Sequence, residues 1–215
     1  MTAPAMLAIW SDVTPEQETD YLHWLTREHT AERLGVPGFQ AVRVFRAALP
    51  GVCRFLIVYE LASAGVLTSA AYLARLNAPT PWSRRIMPLL RNFARGGGRV
   101  RDVRGTGGGA WVMPLRLDRM PAAAPALLDA LAAEDRICAV RLLEVDQQGS
   151  GVPTGEKALR GGDAAFAGLL LVEATGADAL RGAVARHQPA IAALDGGAAE
   201  PALYAAVFSL RQAVP

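Results

Sequence analysis

The stretch "FQAVRVFRAALPGVCRFLIVYEL", Phe39 to Leu61, decides how the chain is read. Two runs rich in β-branched and aromatic residues flank "ALPG", Ala48 to Gly51, whose proline and glycine carry turn chemistry. The pattern predicts an antiparallel hairpin. Upstream, "MLAIWSDV" (Met6 to Val13) reads as a strand. Thr14-Pro15-Glu16-Gln17 then supplies a capping residue, a proline at the first helical position and a capping-box partner three residues on. A helix therefore starts there and runs to about Leu34, where Gly35 and Pro37 end it. Downstream of the hairpin a second helix is expected over about Gly65 to Leu76, followed by a loop "NAPTP", a short segment "WSRRIMPLLRNF" and a strand within Arg95 to Arg104. The order is βαββαβ.

The second half repeats that order. "AWVMPLRL" reads as a strand, "MPAAAPALLDALAAE" as a helix, "RICAVRLLEV" and "AAFAGLLLVEA" as two strands, "GADALRGAVARHQPAIAAL" as a helix and "PALYAAVFSLR" as the closing strand. "AVRVF" (Ala41 to Phe45) and "AVRLL" (Ala139 to Leu143) fall at matching places, and "GTGGG", Gly105 to Gly109, is the natural joint. A βαββαβ unit is the split β-α-β arrangement of the ferredoxin-like fold. Its helices cover one sheet face and leave the other needing a partner, which a second unit can provide. The expected architecture is α+β: two tandem ferredoxin-like units, residues 1–105 and 106–215, packed sheet to sheet.

Composition narrows the function classes. Of 215 residues, 52% are hydrophobic and 20% charged, a globular rather than a disordered balance. No apolar run reaches the roughly 20 residues of a membrane span, and the N-terminus lacks the basic start and apolar stretch of a signal peptide, so a cytoplasmic protein without membrane partners is expected. Cys53 and Cys138 have no neighbouring cysteine or histidine and read as reduced thiols. Residues 1–107 carry 13 arginines and 8 acids, whereas residues 108–215 carry 9 basic groups and 12 acids, so the basic excess belongs to the first half. A net charge of +2 without an interleaved aromatic platform argues against nucleic acid. There is no Walker-type loop, G-x-S-x-G or H-E-x-x-H.

The candidate site lies in "REHTAERLGVPGF", Arg27 to Phe39. On a regular helix Leu22, Leu25 and His29 share one inward stripe, with Arg33 at its edge, while His23 points to nearly the opposite side. The two histidines cannot share a metal ion, and no metal site is expected. His29 is either a core histidine with satisfied nitrogens or an acid/base lining a cavity. Glu28, near Tyr21 and one turn from Trp24, is either a solvated acid or a group that orients the base. The arginine-rich run Arg84 to Arg104 is either a solvated basic face or an anion site in which Arg84, Arg85 or Arg91 grips a carboxylate or phosphate beneath Trp82. The counterpart helix of the second half lacks histidine and aromatics, so that half is expected mainly to close the barrel. His187 reads as a helix-end residue. Asp146 to Asp163 reads as a long hairpin tip, a surface loop or a lid.

The tandem units, the helix-borne Glu28-His29 followed by "GVPGF", and "PTPWSRRIMPLLRNFAR" (Pro79 to Arg95) resemble the dimeric α/β-barrel superfamily, close to its EthD-like branches. That superfamily holds cofactor-independent monooxygenases, isomerases, cyclases, haem enzymes and proteins without known activity. The resemblance implies a pocket beside the first helix. His29 would be the acid/base with Glu28 as helper, and Tyr21, Trp24, Arg33, Trp82, Arg84 and Arg85 would contact a small anionic or aromatic ligand. No cofactor is required on this reading, and a homodimer is compatible with it. The rival expectations are a non-catalytic ligand-binding or assembly protein and, third, a haem protein.

Overall fold

The computed structural model describes residues 4–122, 124–195 and 202–212. Eight antiparallel strands form a closed barrel in the order β1-β3-β2-β8-β5-β7-β6-β4. They are β1 (Ala5–Val13), β2 (Phe39–Ala47), β3 (Cys53–Leu61), β4 (Arg91–Gly105), β5 (Trp111–Leu117), β6 (Ile137–Val145), β7 (Gly168–Ala174) and β8 (Tyr204–Arg211). The first four occupy adjacent places in the order β4-β1-β3-β2, and the last four in the order β8-β5-β7-β6. The two groups join edge to edge, with Val44 opposite Phe208 at one seam and Val100 opposite Leu143 at the other. Closure leaves no free sheet edge for another chain to pair with.

Alternation along each strand gives the barrel two surfaces. Met6, Ala8 and Trp10 of β1 pack in the same interior cluster as Leu56, Val58, Leu143, Leu169 and Leu171, so both halves fill one inner core. Leu7 and Ile9 instead join an outer core beneath the first-half helices, and Met113, Leu115, Leu170 and Val172 join a separate one beneath the second-half helices. Each strand buried on both faces thus contributes twice, at about 1.5–3 kcal/mol for every large apolar side chain removed from water.

The run Gly96-Gly97-Gly98 lies inside β4, a strand that starts at Arg91 rather than near Arg95 as expected. A Cβ on Gly98 would sit 2.0 Å from the Glu144 carbonyl oxygen, and one on Gly96 would sit 2.5 Å from the Phe166 ring. Glycine is needed there because the backbone of β6 and an aromatic ring lie where a side chain would be. Near the joint, the fully buried Glu173 of β7 accepts from Arg43 of β2 at 2.5 and 2.9 Å, from the Gly109 amide at 2.9 Å, and from Arg141 of β6. One carboxylate thereby ties strands of both halves together.

Several elements differ from expectation. The first helix is continuous but composite: a 3-10 turn at Pro15–Gln17, α1 (Glu18–Trp24), a π turn Leu25–His29 and α2 (Thr30–Leu34). The second splits at Ser69, whose hydroxyl accepts the Tyr72 amide at 3.2 Å and starts α3 (Ala70–Asn77) after a 3-10 turn. The "WSRRIMPLLRNF" segment holds α4 (Pro81–Ile86). The helix α5 (Pro125–Ala132) starts where a second proline sits, not at Met120. The supposed hairpin tip carries α6 (Gln147–Gly151) and α7 (Gly155–Ala158) and packs over the first half. His187 is not a helix end: it lies within α8 (Ala177–Asp195) and bonds Glu134 at 2.9 Å. Pro201, expected in the closing strand, lies outside the described residues. Among the described residues, no helix is long and apolar enough to cross a membrane.

Candidate active site

The π turn decides what the first helix presents. The Thr30 amide and hydroxyl both reach the carbonyl of Leu25, five residues back, the hydroxyl at 2.8 Å. On a regular helix Trp24 and His29 would lie about 140° apart. The extra residue in the turn closes that angle, and their rings stack at 4.1 Å with 35° between planes. Such bulges recur at functional sites because they re-aim a side chain within an otherwise regular helix. Trp24 is fixed from behind by its indole N–H, which donates to the buried Ser83 hydroxyl at 3.1 Å. Tyr21 packs on Phe55 and its hydroxyl lies 2.6 Å from that of Ser11, while burial pushes its phenol pKa up and keeps it protonated.

His29 is 4% exposed, and its Nδ1 has no hydrogen-bond partner. Burial, then the nearby Arg33, Arg160 and Arg75 guanidinium groups, hold its pKa well below the ordinary histidine value, so the ring is neutral at pH 7. Arg33, one turn on, is 2% exposed and pairs through Nη2 with Glu156 of α7, while its Nη1 has no partner. The Tyr59 hydroxyl and Arg75 Nε are also buried without partners. A buried polar group left without a partner costs about 1–3 kcal/mol. Four such atoms in one region mark a place where water or a ligand completes the bonding.

Two of these groups, His29 and Arg33, adjoin a cavity of about 40 Å³ that Tyr21, Trp24, Tyr72 and Phe93 of the first half also line. The wall opposite comes from the second half: Ser150, Glu156, Lys157, Arg160 and Asp163. The space holds about two or three waters. A larger cavity, about 350 Å³, opens at one barrel end beside Met6, Val58, Arg43 and Arg141. Its two arginines are already bound to Glu173, and none of the four partnerless atoms lines it. The smaller cavity is therefore the candidate site.

Of the residues singled out in the sequence, Tyr21, Trp24, His29 and Arg33 meet at this cavity. Glu28, Trp82, Arg84 and Arg85 do not line it. Glu28, adjacent in sequence to His29 and therefore on a different face of the helix, accepts from the Thr80 hydroxyl at 2.6 Å, at the cap of α4. The Trp82 indole donates to Asp20 at 3.2 Å, Arg85 pairs with the same carboxylate at 2.9 Å, and Arg84 is exposed and donates to the Pro79 carbonyl at 3.2 Å. Arg91 is exposed as well. From the arginine-rich run it is Arg95 that lines the cavity, donating to the Tyr72 hydroxyl at 3.3 Å. Its alternation with Ala94 along a strand was a usable signal. Nothing local in the sequence pointed to Glu156 or Arg160.

No family model matches the chain, and no curated protein matches it by sequence. Solved structures do match in fold. An anthrone oxidase-like protein superposes with a TM-score of 0.67 at 12% identity, covering 98% of this chain and 94% of that one. A proposed monooxygenase from Fusobacterium nucleatum gives 0.59 at 11% identity, covering 98% and 95%. Another, from Lactobacillus acidophilus, gives 0.53 at 10% identity, covering 98% and 97%. These neighbours carry dimeric α+β-barrel folds, and at such identities the likeness is one of fold alone.

Proposed function

We propose that this protein is an oxygenase-type enzyme that works without a resident cofactor on a small aromatic or anionic molecule, with His29 as its acid/base. The observation that carries this reading is a neutral, buried imidazole whose partnerless Nδ1 adjoins a cavity shared with a partnerless guanidinium N–H of Arg33. A neutral imidazole can take a proton from an activated O–H or C–H, and the Arg33 nitrogen can hold the oxyanion that results. The electron-rich anion then reduces dioxygen directly: a CH₂ group and O₂ give C=O and H₂O, with both electron pairs supplied by the substrate. The names of the fold neighbours agree with such chemistry. The matching strand orders of the two halves support tandem units, residues 1–105 and 106–215, of which the first holds the acid/base.

The test is oxygen uptake with anthrone as probe, where one O₂ per anthrone yields anthraquinone and water. Wild type should exceed the uncatalysed rate, and His29→Gln should lose about 10²–10⁴-fold of the excess. Uptake that is unchanged in His29→Gln removes the assignment. Ligand binding with no uptake from any hydroxyaromatic tried would instead make the protein a binding module.

A further inference from the structure

We propose that Arg33 is the anchor for an anionic group of the ligand, a carboxylate or an enolate-like oxygen, and that Glu156 occupies that anchor in the empty protein and is displaced when the ligand binds. The inference uses the same cavity as the function proposed above, but it concerns binding and does not need turnover.

Charge and hydrogen bonding around the cavity lead to this. Its lining holds four cationic side chains, Arg33, Arg95, Lys157 and Arg160, against two carboxylates, Glu156 and Asp163, so an arriving anion is favoured. Three of the four cations are committed. Arg160 binds both oxygens of Asp163 at 3.1 Å and lies 4.0 Å over the Phe93 ring. Arg95 donates to the Ser150 carbonyl and the Tyr72 hydroxyl, each at 3.3 Å, and Lys157 donates to the Gly151 carbonyl at 3.4 Å. Arg33 alone among them keeps a fully buried nitrogen without a partner. A planar guanidinium offers two parallel N–H groups to one anion, and here Glu156 has taken only one side of the fork.

Glu156 also has the means to leave. It sits on the four-residue helix α7, within a segment of the second half that covers the cavity. The first half meets that segment mainly through hydrogen bonds at its ends: the Gly155 amide donates to the Asn77 side chain at 2.8 Å, the Gly97 amide to the Ser150 hydroxyl at 3.3 Å and Arg95 to the Ser150 carbonyl at 3.3 Å. The cavity of about 40 Å³ cannot admit an aromatic ring while the cover is seated. Exchange of one carboxylate for another on Arg33 leaves the buried guanidinium neutralised throughout, whereas a neutral ligand would leave Glu156 in place. The ligand's charge is thereby the selected property.

The test is calorimetric titration of the full chain with benzoate and with its neutral isostere benzamide. Wild type should bind benzoate at least tenfold more tightly than benzamide. Glu156→Gln, which keeps the shape and removes the internal competitor, should bind benzoate at least fivefold more tightly than wild type. Arg33→Met should lose the preference for benzoate, and the double variant Arg33→Met/Glu156→Met provides the same reading if the single one does not fold. Amide exchange of residues 147–158 should quicken when benzoate binds wild type. Benzoate binding is read without turnover, so a failure of the proposed oxygenase activity leaves this result standing. Equal affinity for benzoate and benzamide, no benzoate binding, no gain in Glu156→Gln, or unchanged exchange in the cover would each overturn the proposal.

Discussion

Two helical layers lie against the same barrel, and they are built on opposite rules. Beneath the second-half helices, Leu115, Leu128, Leu131, Leu142, Leu170 and Leu180 pack with valines and alanines into an apolar layer. Beneath the first-half helices an equally buried layer of Trp24, Phe39, Phe55 and Tyr59 also carries His29, Arg33 and the carboxylate of Glu156. All four partnerless buried side-chain atoms found among the described residues belong to this first layer. An apolar layer explains itself through area removed from water. A layer that holds unmet polar groups is stable only because the rest of the barrel offsets their cost, and such local exceptions to otherwise consistent design mark functional sites.

The largest expected effect tests that contrast in stability. Arg33→Met strands the Glu156 carboxylate in the interior and should cost about 3–5 kcal/mol in urea unfolding, with much of the loss recovered in Arg33→Met/Glu156→Met. Leu128→Ala in the apolar layer should cost about 2–5 kcal/mol with no such partner to rescue it, and should leave benzoate binding untouched. If the double variant recovers nothing, the polar layer behaves like ordinary core and the contrast fails.

A smaller effect concerns acid. The His29 pKa is lowered in the folded protein, so the unfolded chain binds the extra proton first as pH falls. The stabilising contribution of the neutral ring is therefore complete above the unfolded value of about 6.5 and is lost as pH drops from there toward the folded value. Wild type should lose stability over that window with a slope of at most about 1.4 kcal/mol per pH unit. The slope should flatten in His29→Gln, as followed by thermal unfolding at stepped pH. Equal slopes would mean that His29 titrates normally and lies in contact with water.

The smallest effect belongs to the arginines outside the cavity. Arg85 pairs with Asp20 while 60% of its side chain stays exposed. Arg85→Ala and Arg84→Ala should each change stability by under about 1 kcal/mol and leave both benzoate affinity and oxygen uptake at wild-type values. A tenfold loss of affinity in either would return these residues to the site.

How far the sequence could be read follows from the range of the forces involved. The strand runs, the Thr14 start with its amide on the Gln17 side chain at 3.1 Å, and the Gly35-Pro37 stop are set by neighbours within a few residues, and each was legible. The inward placement of His29 was also legible, because its hydrophobic neighbours repeat at helical spacing. Glu28 lies outside the cavity because it meets Thr80, 52 residues along the chain, a contact that no local pattern carries. Glu156 was invisible because it meets Arg33 across 123 residues of chain.

The amino-acid order by itself determined which segments become strands and helices, since alternation, caps and turn residues act locally and each favours one backbone state. It also placed histidine, aromatics and arginine together on one helix of the first half, a combination no helix of the second half carries. Tertiary structure alone decided how those groups are used. Closure of the barrel brings Glu156 from a distant segment over the helix, and among those buried groups a hydrogen bond made or left open outweighs any local preference.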